Sequence, residues 1–193
     1  MLFYLREIPF GVYRYPQSTD SLNDLILAKE PTILTYDLDW PDENKSPTTA
    51  RYGSYNFLTY PGTDDFKAFI ISAIDDFYRK MNWNIPTERW VQCWVNIHRE
   101  GQRLGLHTHH DCKLSGHMTV ACQGSYTAYY SSMFFELENE PGLLTLIGAE
   151  RVPHATSAVV GDKARISIAF DVMENKAELF DNWILLHKDR GFQ

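Results

Sequence analysis

Five of the seven histidines, His98, His107, His109, His110 and His117, fall within twenty residues of one another. Imidazole suits general acid–base work and divalent transition metals alike, and the local spacing favours the metal. Leu106-His107-Thr108-His109-His110-Asp111 reads as the end of a strand over Leu104 to His109. Side chains two apart in an extended chain share a face, so His107 and His109, with Asp111 after them, project together while Thr108 and His110 point away. Two imidazoles roughly 6–7 Å apart along a strand can close on one ion through bonds of about 2 Å. A third ligand must come from elsewhere, and His154, at the start of a late strand, offers it. Two ligand sets are open on spacing: His107, His109 and His154, or one in which Asp111 replaces a histidine and supplies the carboxylate of a two-His-one-carboxylate centre.

Val160-Gly161-Asp162-Lys163 reads as a two-residue hairpin with Gly at its first central position. That register places His154 opposite Ala169, Thr156 opposite Ser167 and Ala158 opposite Arg165. His154, Thr156, Arg165 and Ser167 then share one face, and Ile166, Ile168 and Phe170 the other. Arg165 lies four residues, roughly 13 Å of strand, from the position beside His154. The gap fits a small ligand that chelates a metal at one end and offers a carboxylate to a guanidinium at the other.

The elements that must position these residues follow from periodicity. Phe66, Phe69, Ile70, Ala73, Ile74, Phe77, Tyr78 and Met81 recur at helical spacing, with Asp64 and Asp65 at the favourable N-terminal end, which predicts a helix over 64–81 that covers a sheet. From Trp90 the period drops to 2. Gln92, Trp94, Asn96 and His98 alternate with Val91, Cys93, Val95 and Ile97, and further strands are expected at Leu114 to Cys122, Ser125 to Ser131, Met133 to Glu138, Leu143 to Ile147, His154 to Val160 and Ala164 to Val172. About eight short strands at this spacing predict a mainly β fold, a sandwich or jelly roll. Upstream, a strand over Ile8 to Tyr15, a short helix over Leu22 to Lys29, a strand over Thr32 to Leu38 and a loop over Trp40 to Arg51 are expected. The chain divides into an N-terminal α/β support (1–89), a β core (90–172) and a C-terminal docking tail (173–193), within one domain.

Composition narrows the partner. In 193 residues the net charge is −7, with no basic stripe for a nucleic-acid backbone. No apolar run approaches the roughly 20 residues of a membrane span, and Met1 to Leu5 are cut off by Arg6 and Glu7 before they form a signal-peptide core. Cys93, Cys112 and Cys122 form neither a disulfide framework nor a C-x-x-C pair. The expectation is a cytoplasmic protein that takes a small molecule or a peptide, without nucleic acid or membrane; the oligomeric state has no signature.

Taken together, Trp94-x-Asn96, His107-Thr108-His109 followed by Leu114-Ser115-Gly116, Pro153-His154 and Arg165-Ile166-Ser167-Ile168-Ala169-Phe170 resemble a group of small bacterial and phage iron(II), 2-oxoglutarate-dependent oxygenases. The match runs from about Trp94 to Val172. It departs at His110 (usually Pro), His117 (usually aliphatic) and Asp171 (usually Asn). The resemblance implies a double-stranded β-helix, cupin-like in architecture, and an oxygenase that couples oxidative decarboxylation of 2-oxoglutarate to hydroxylation of a second substrate, with Fe(II) and O2. It implies His107, His109 and His154 as metal ligands, Arg165 and Ser167 on the distal carboxylate, and Asn96 near the metal-bound end of the cosubstrate. A cupin-like three-histidine metalloenzyme without 2-oxoglutarate, or a non-catalytic β-sandwich binding module, would share the histidines but have no need of Arg165 and Ser167.

Overall fold

A computed structural model describes residues 2–5, 8–33, 55–109, 112–131, 134–148, 152–174 and 182–188. Two helices precede the β-rich region, α1 (Asp20–Ile33) and α2 (Asp64–Lys80). α2 has the expected bounds, with Met81 as its C-cap, and buries Phe66, Ile70, Ala73, Ile74, Phe77 and Tyr78. Its acidic first turn and its basic last turn, Arg79 and Lys80, both oppose the backbone dipole favourably. α1 runs further than its apolar pattern suggests. Leu22, Ile26 and Ile33 form one buried stripe at spacings of four and seven, so Thr32 and Ile33 stay helical where a strand was expected. The rest of that expected strand, and the Trp40 to Arg51 loop, lie outside the described residues.

Among the described residues there are ten strands, the first two ahead of α1: β1 (Leu2–Leu5), β2 (Ile8–Arg14), β3 (Glu88–His98), β4 (Leu114–Ala121), β5 (Tyr126–Tyr130), β6 (Phe134–Glu138), β7 (Leu143–Gly148), β8 (His154–Thr156), β9 (Arg165–Met173) and β10 (Ile184–Lys188). They form a seven-stranded sheet, β1-β2-β7-β4-β9-β3-β10, and a three-stranded sheet, β6-β5-β8. β1 and β2 join the large sheet through the pairing of β2 with β7, and β10 pairs with β3.

The two faces of the large sheet differ in kind. On one, Val91, Cys93, Val95, Ile97, Leu114, Met118, Leu144, Leu146, Ile166, Ile168, Phe170 and Val172 join the buried face of α2 in the main core. Gly116 belongs to this packing, because a Cβ there would stand 2.5 Å from the Phe170 ring and 2.7 Å from Leu146. On the other face, Gln92, Asn96, His98, Ser115, Thr119, Thr145, Arg165, Ser167 and Asp171 are buried and polar. A small second core of Phe10, Tyr129, Ile147 and Val152 joins the two sheets along one side. Burying so many polar groups is costly unless each finds a partner, so the layer between the sheets is where chemistry is to be sought.

Two expected features are corrected here. β8 and β9 do not form a hairpin: β8 pairs with β5, His154 lying opposite Tyr129, while β9 pairs with β3 on one side and β4 on the other. Both edges of β9 are therefore occupied and β8 has nowhere to pair. Gly161 does turn the chain with φ +98°, but the turn carries it from the small sheet to the large one. The expected strand over Leu104 to His109 is likewise absent as regular structure. His107 and His154 exchange both backbone bonds (3.1 and 2.9 Å) and Thr156 N–H reaches Leu104 C=O at 3.0 Å. The next donor, Leu104 N–H, is taken by the Thr156 hydroxyl at 2.9 Å, which interrupts the ladder.

Candidate metal centre

That short bridge brings the histidines together. His154 opens β8, His107 lies against it, and His109 follows two residues on. Each ring offers a nitrogen within 4.8 Å of the other two. Ring centroids are 4.2 Å apart for His107 and His154, 5.2 Å for His107 and His109, and 5.1 Å for His109 and His154, the last pair stacked with nearly parallel planes. Trp94 stacks on His109 at 6.0 Å and Tyr129 on His154 at 5.8 Å, so an aromatic wall from each sheet fixes the cluster.

The outer nitrogens are held as a metal site requires. His107 Nδ1 lies 2.9 Å from the Gly105 carbonyl and His154 Nδ1 2.9 Å from the Val152 carbonyl, so each N–H donates outward and Nε2 carries the lone pair inward. His109 Nδ1 lies 2.9–3.1 Å from the two carboxylate oxygens of Asp171. Burial, reinforced by neighbouring His107 and His109, pushes His154 well below the ordinary imidazole range and keeps it in the neutral, ligating form. Among the described residues these three histidines are the group whose ligand atoms converge; His110 and Asp111 lie outside them.

Further along the same face of β9 stands Arg165, 3% exposed. Its Nη2 donates to His98 Nδ1 at 2.9 Å, while its Nε and Nη1 are buried with no partner among the described residues. His98, pushed down to about 3 by burial and then by the Arg165 charge, is neutral and accepts that bond. Burial also lowers Arg165, to about 10, which leaves it charged at neutral pH. Between Arg165 and the histidines, Asn96 lies opposite Ser167 in the β3–β9 register and Thr119 opposite Ser167 in the β4–β9 register. Asn96 Oδ1 too is buried without a partner among the described residues.

His117, which departs from the aliphatic residue usual in the family pattern, is a polar tie between the sheets. Thr127 donates to Asn139 Oδ1 at 2.9 Å, so it can accept from His117 Nε2 at 3.4 Å. His117 Nδ1 then accepts from the Thr145 hydroxyl at 2.8 Å, and Thr145 from Tyr129 O–H at 3.0 Å. Burial, then the Arg165 charge, takes His117 down to about 4 and matches this neutral tautomer. Both ring nitrogens are engaged, which sets His117 apart from the three that converge.

Two contributors escaped prediction by role. His98 had been assigned no part, although its parity with Asn96 on β3 aims it at Arg165. Asp171 stood only as a departure from a pattern, although it shares the parity of Arg165 and Ser167 on β9.

No family model matches the sequence, nor does any curated protein. The structure is similar to a prolyl-4-hydroxylase from Pseudomonas putida, with TM-score 0.62 and 10% identity over 84% of this chain and 91% of that one. It is similar also to the viral collagen prolyl hydroxylase of Paramecium Bursaria Chlorella virus-1 in complex with 2OG, with TM-score 0.60 and 13% identity over 84% and 94%. A third likeness is to SnoK, a non-heme alpha ketoglutarate dependent carbocyclase from nogalamycin biosynthesis, with TM-score 0.60 and 11% identity over 88% and 81%. At these identities the likeness is one of fold, and the fold is the expected double-stranded β-helix.

Proposed function

We propose that the protein is an iron(II)- and 2-oxoglutarate-dependent oxygenase. The observation that carries this reading is the pairing of a three-histidine cluster with a buried arginine, on one polar layer, whose Nε and Nη1 have no partner among the described residues. Buried charged donors left without an acceptor are costly enough to imply an anion. Nε and Nη1 lie on different edges of the guanidinium, and each can donate a charge-assisted bond to a carboxylate oxygen.

In this reading His107, His109 and His154 hold Fe(II) through Nε2, Arg165 takes the distal carboxylate of 2-oxoglutarate, and Ser167 adds a hydroxyl beside it. Asn96, whose amide can present either end, faces the cosubstrate between them. Bound together, iron and 2-oxoglutarate supply O2 activation by oxidative decarboxylation to succinate and CO2. The chain's own contribution is to orient and exclude. Carbonyls of Gly105 and Val152 fix two imidazole tautomers, Trp94 and Tyr129 fix ring planes, and His98 holds the guanidinium by Nη2, which leaves Nε and Nη1 to the ligand. The oxidised substrate is a small molecule or peptide and the outcome a hydroxylation. A three-histidine centre that did not use 2-oxoglutarate would leave the buried edge of Arg165 unexplained.

Anaerobic titration with Fe(II) and then 2-oxoglutarate tests this. A weak visible metal-to-ligand band is expected on formation of the chelate, and Arg165→Ala should weaken 2-oxoglutarate binding at least tenfold while Fe(II) still binds. Absence of the band, or an Arg165→Ala variant with unchanged affinity, overturns the reading.

A further inference from the structure

Asp171 is a buried carboxylate, 8% exposed, and the polar partner the structure gives it is a metal-site histidine. Its neighbours in register are Gln92 on β3 and Ser115 on β4, neither of them cationic. A buried carboxylate is costly unless it is paired, and among the described residues the partner in reach is the His109 ring. The other two histidines of the cluster rest on backbone carbonyls, which are neutral. The centre is thus asymmetric, with three neutral ligands and one anion, applied to one ligand from behind.

We infer that Asp171 is a positioning residue for the metal, acting through His109: it fixes the Nδ1–H tautomer, raises the basicity of Nε2, and supplies the negative charge that the three-histidine ligand set lacks. Two physical reasons support this. A charged acceptor makes a hydrogen bond about twice as strong as a neutral one, so His109 becomes the strongest donor of the three. A divalent ion on three neutral ligands keeps its full charge in a buried layer, and an anion one imidazole away offsets part of it with less loss to solvent screening than at the surface. The ligand class is accordingly a divalent first-row ion of the kind imidazole prefers, among which Fe(II) is the one this site is proposed to use.

The inference rests on the proposed metal centre but not on 2-oxoglutarate chemistry, and its test is metal binding alone. The full-length protein, stripped with a chelator, is titrated with Co(II), whose visible bands report ligand geometry, and with Fe(II) under argon, in the parent and in Asp171→Asn. Asparagine keeps the size and an acceptor oxygen and removes the charge. Affinity should fall about 10- to 100-fold, the usual effect of losing such a partner, with altered Co(II) bands, while the melting temperature of the metal-free protein holds or rises. Asp171→Glu should recover part of the affinity. Unchanged metal affinity in Asp171→Asn overturns the proposal, and so does a fall in metal-free melting temperature as large as the fall in the metal-bound one, which would make the contact merely structural. A parent chain that binds neither ion, or binds equally well after His107→Ala, would instead overturn the metal centre itself.

Discussion

His98 shows how one side chain sets the direction of another. Its neutral Nδ1 takes Nη2 of Arg165 at 2.9 Å, and that contact fixes the rotation of the guanidinium. In His98→Ala the fork is free to rotate. Hydrogen bonds to charged groups contribute about 1.5–3 kcal/mol, so 2-oxoglutarate affinity should fall roughly 10- to 100-fold. Fe(II) retention should be unchanged, because the metal histidines are bonded elsewhere. His98→Gln, which restores an acceptor, should recover part of the loss. Isothermal titration of 2-oxoglutarate into the Fe(II)-loaded variants reads all three values. Equal weakening in the Ala and Gln variants would show that His98 fills space and does not aim Arg165. At this scale the sequence was legible where chemistry and parity coincided: His107, His109, His154 and Arg165 are unusual residues in a patterned stretch. Asp171 and His98 were harder to see, because a lone carboxylate or imidazole on a strand acquires its role only from what stands opposite.

At the scale of elements, parity within a strand was readable and pairing between strands was not. Alternation along β3, β4 and β9 follows from a sheet with an apolar outer face and a polar inner one, and every apolar position expected to look away from the site on β9, Ile166, Ile168 and Phe170, does so. The β8–β9 hairpin failed for a topological reason. A Gly-containing turn specifies that the chain reverses, not that the flanking strands pair, and the edges of β9 go to β3 and β4. His154 and Arg165 therefore stand on different sheets and not on neighbouring strands of one ladder. Gly116 illustrates a motif residue whose reason is packing. The Phe170 and Leu146 atoms that a methyl would meet belong to fully buried side chains, so neither has room to withdraw. Gly116→Ala should destabilise the fold by about 1–3 kcal/mol and displace β4 against β9, carrying His117 with it. Urea denaturation measures the first effect; a midpoint equal to that of the parent would mean the core relaxes around the added methyl.

Across the whole molecule the site is a polar layer enclosed between a helix-backed sheet and a smaller one, inside a chain of net charge −7. On the proposed function an anionic cosubstrate would be attracted locally, by a metal and Arg165, against the sign of the molecule as a whole, and salt should assist its association where it screens the outer charge. The same enclosure governs acid stability. His98 and His117 are held neutral in the folded chain, at about 3 and about 4, whereas in the unfolded chain an imidazole titrates near 6.5. Above about pH 6.5 both states carry these rings neutral, and pH makes no difference through them. Below it the unfolded state binds protons that the folded state refuses. Stability should therefore fall as pH drops from about 6.5 toward 4, by up to about 1.4 kcal/mol per pH unit for each histidine. The loss slows once the folded-state values are reached. Guanidinium unfolding of the metal-free protein at pH 7.5, 6.0, 5.0 and 4.5 checks this. His117→Asn, which gives up the titrating ring but keeps hydrogen-bonding groups, should flatten the pH dependence even if it lowers stability at pH 7.5. A parent curve that stays level to pH 4.5 would mean that the layer between the sheets admits enough water to charge these rings in place.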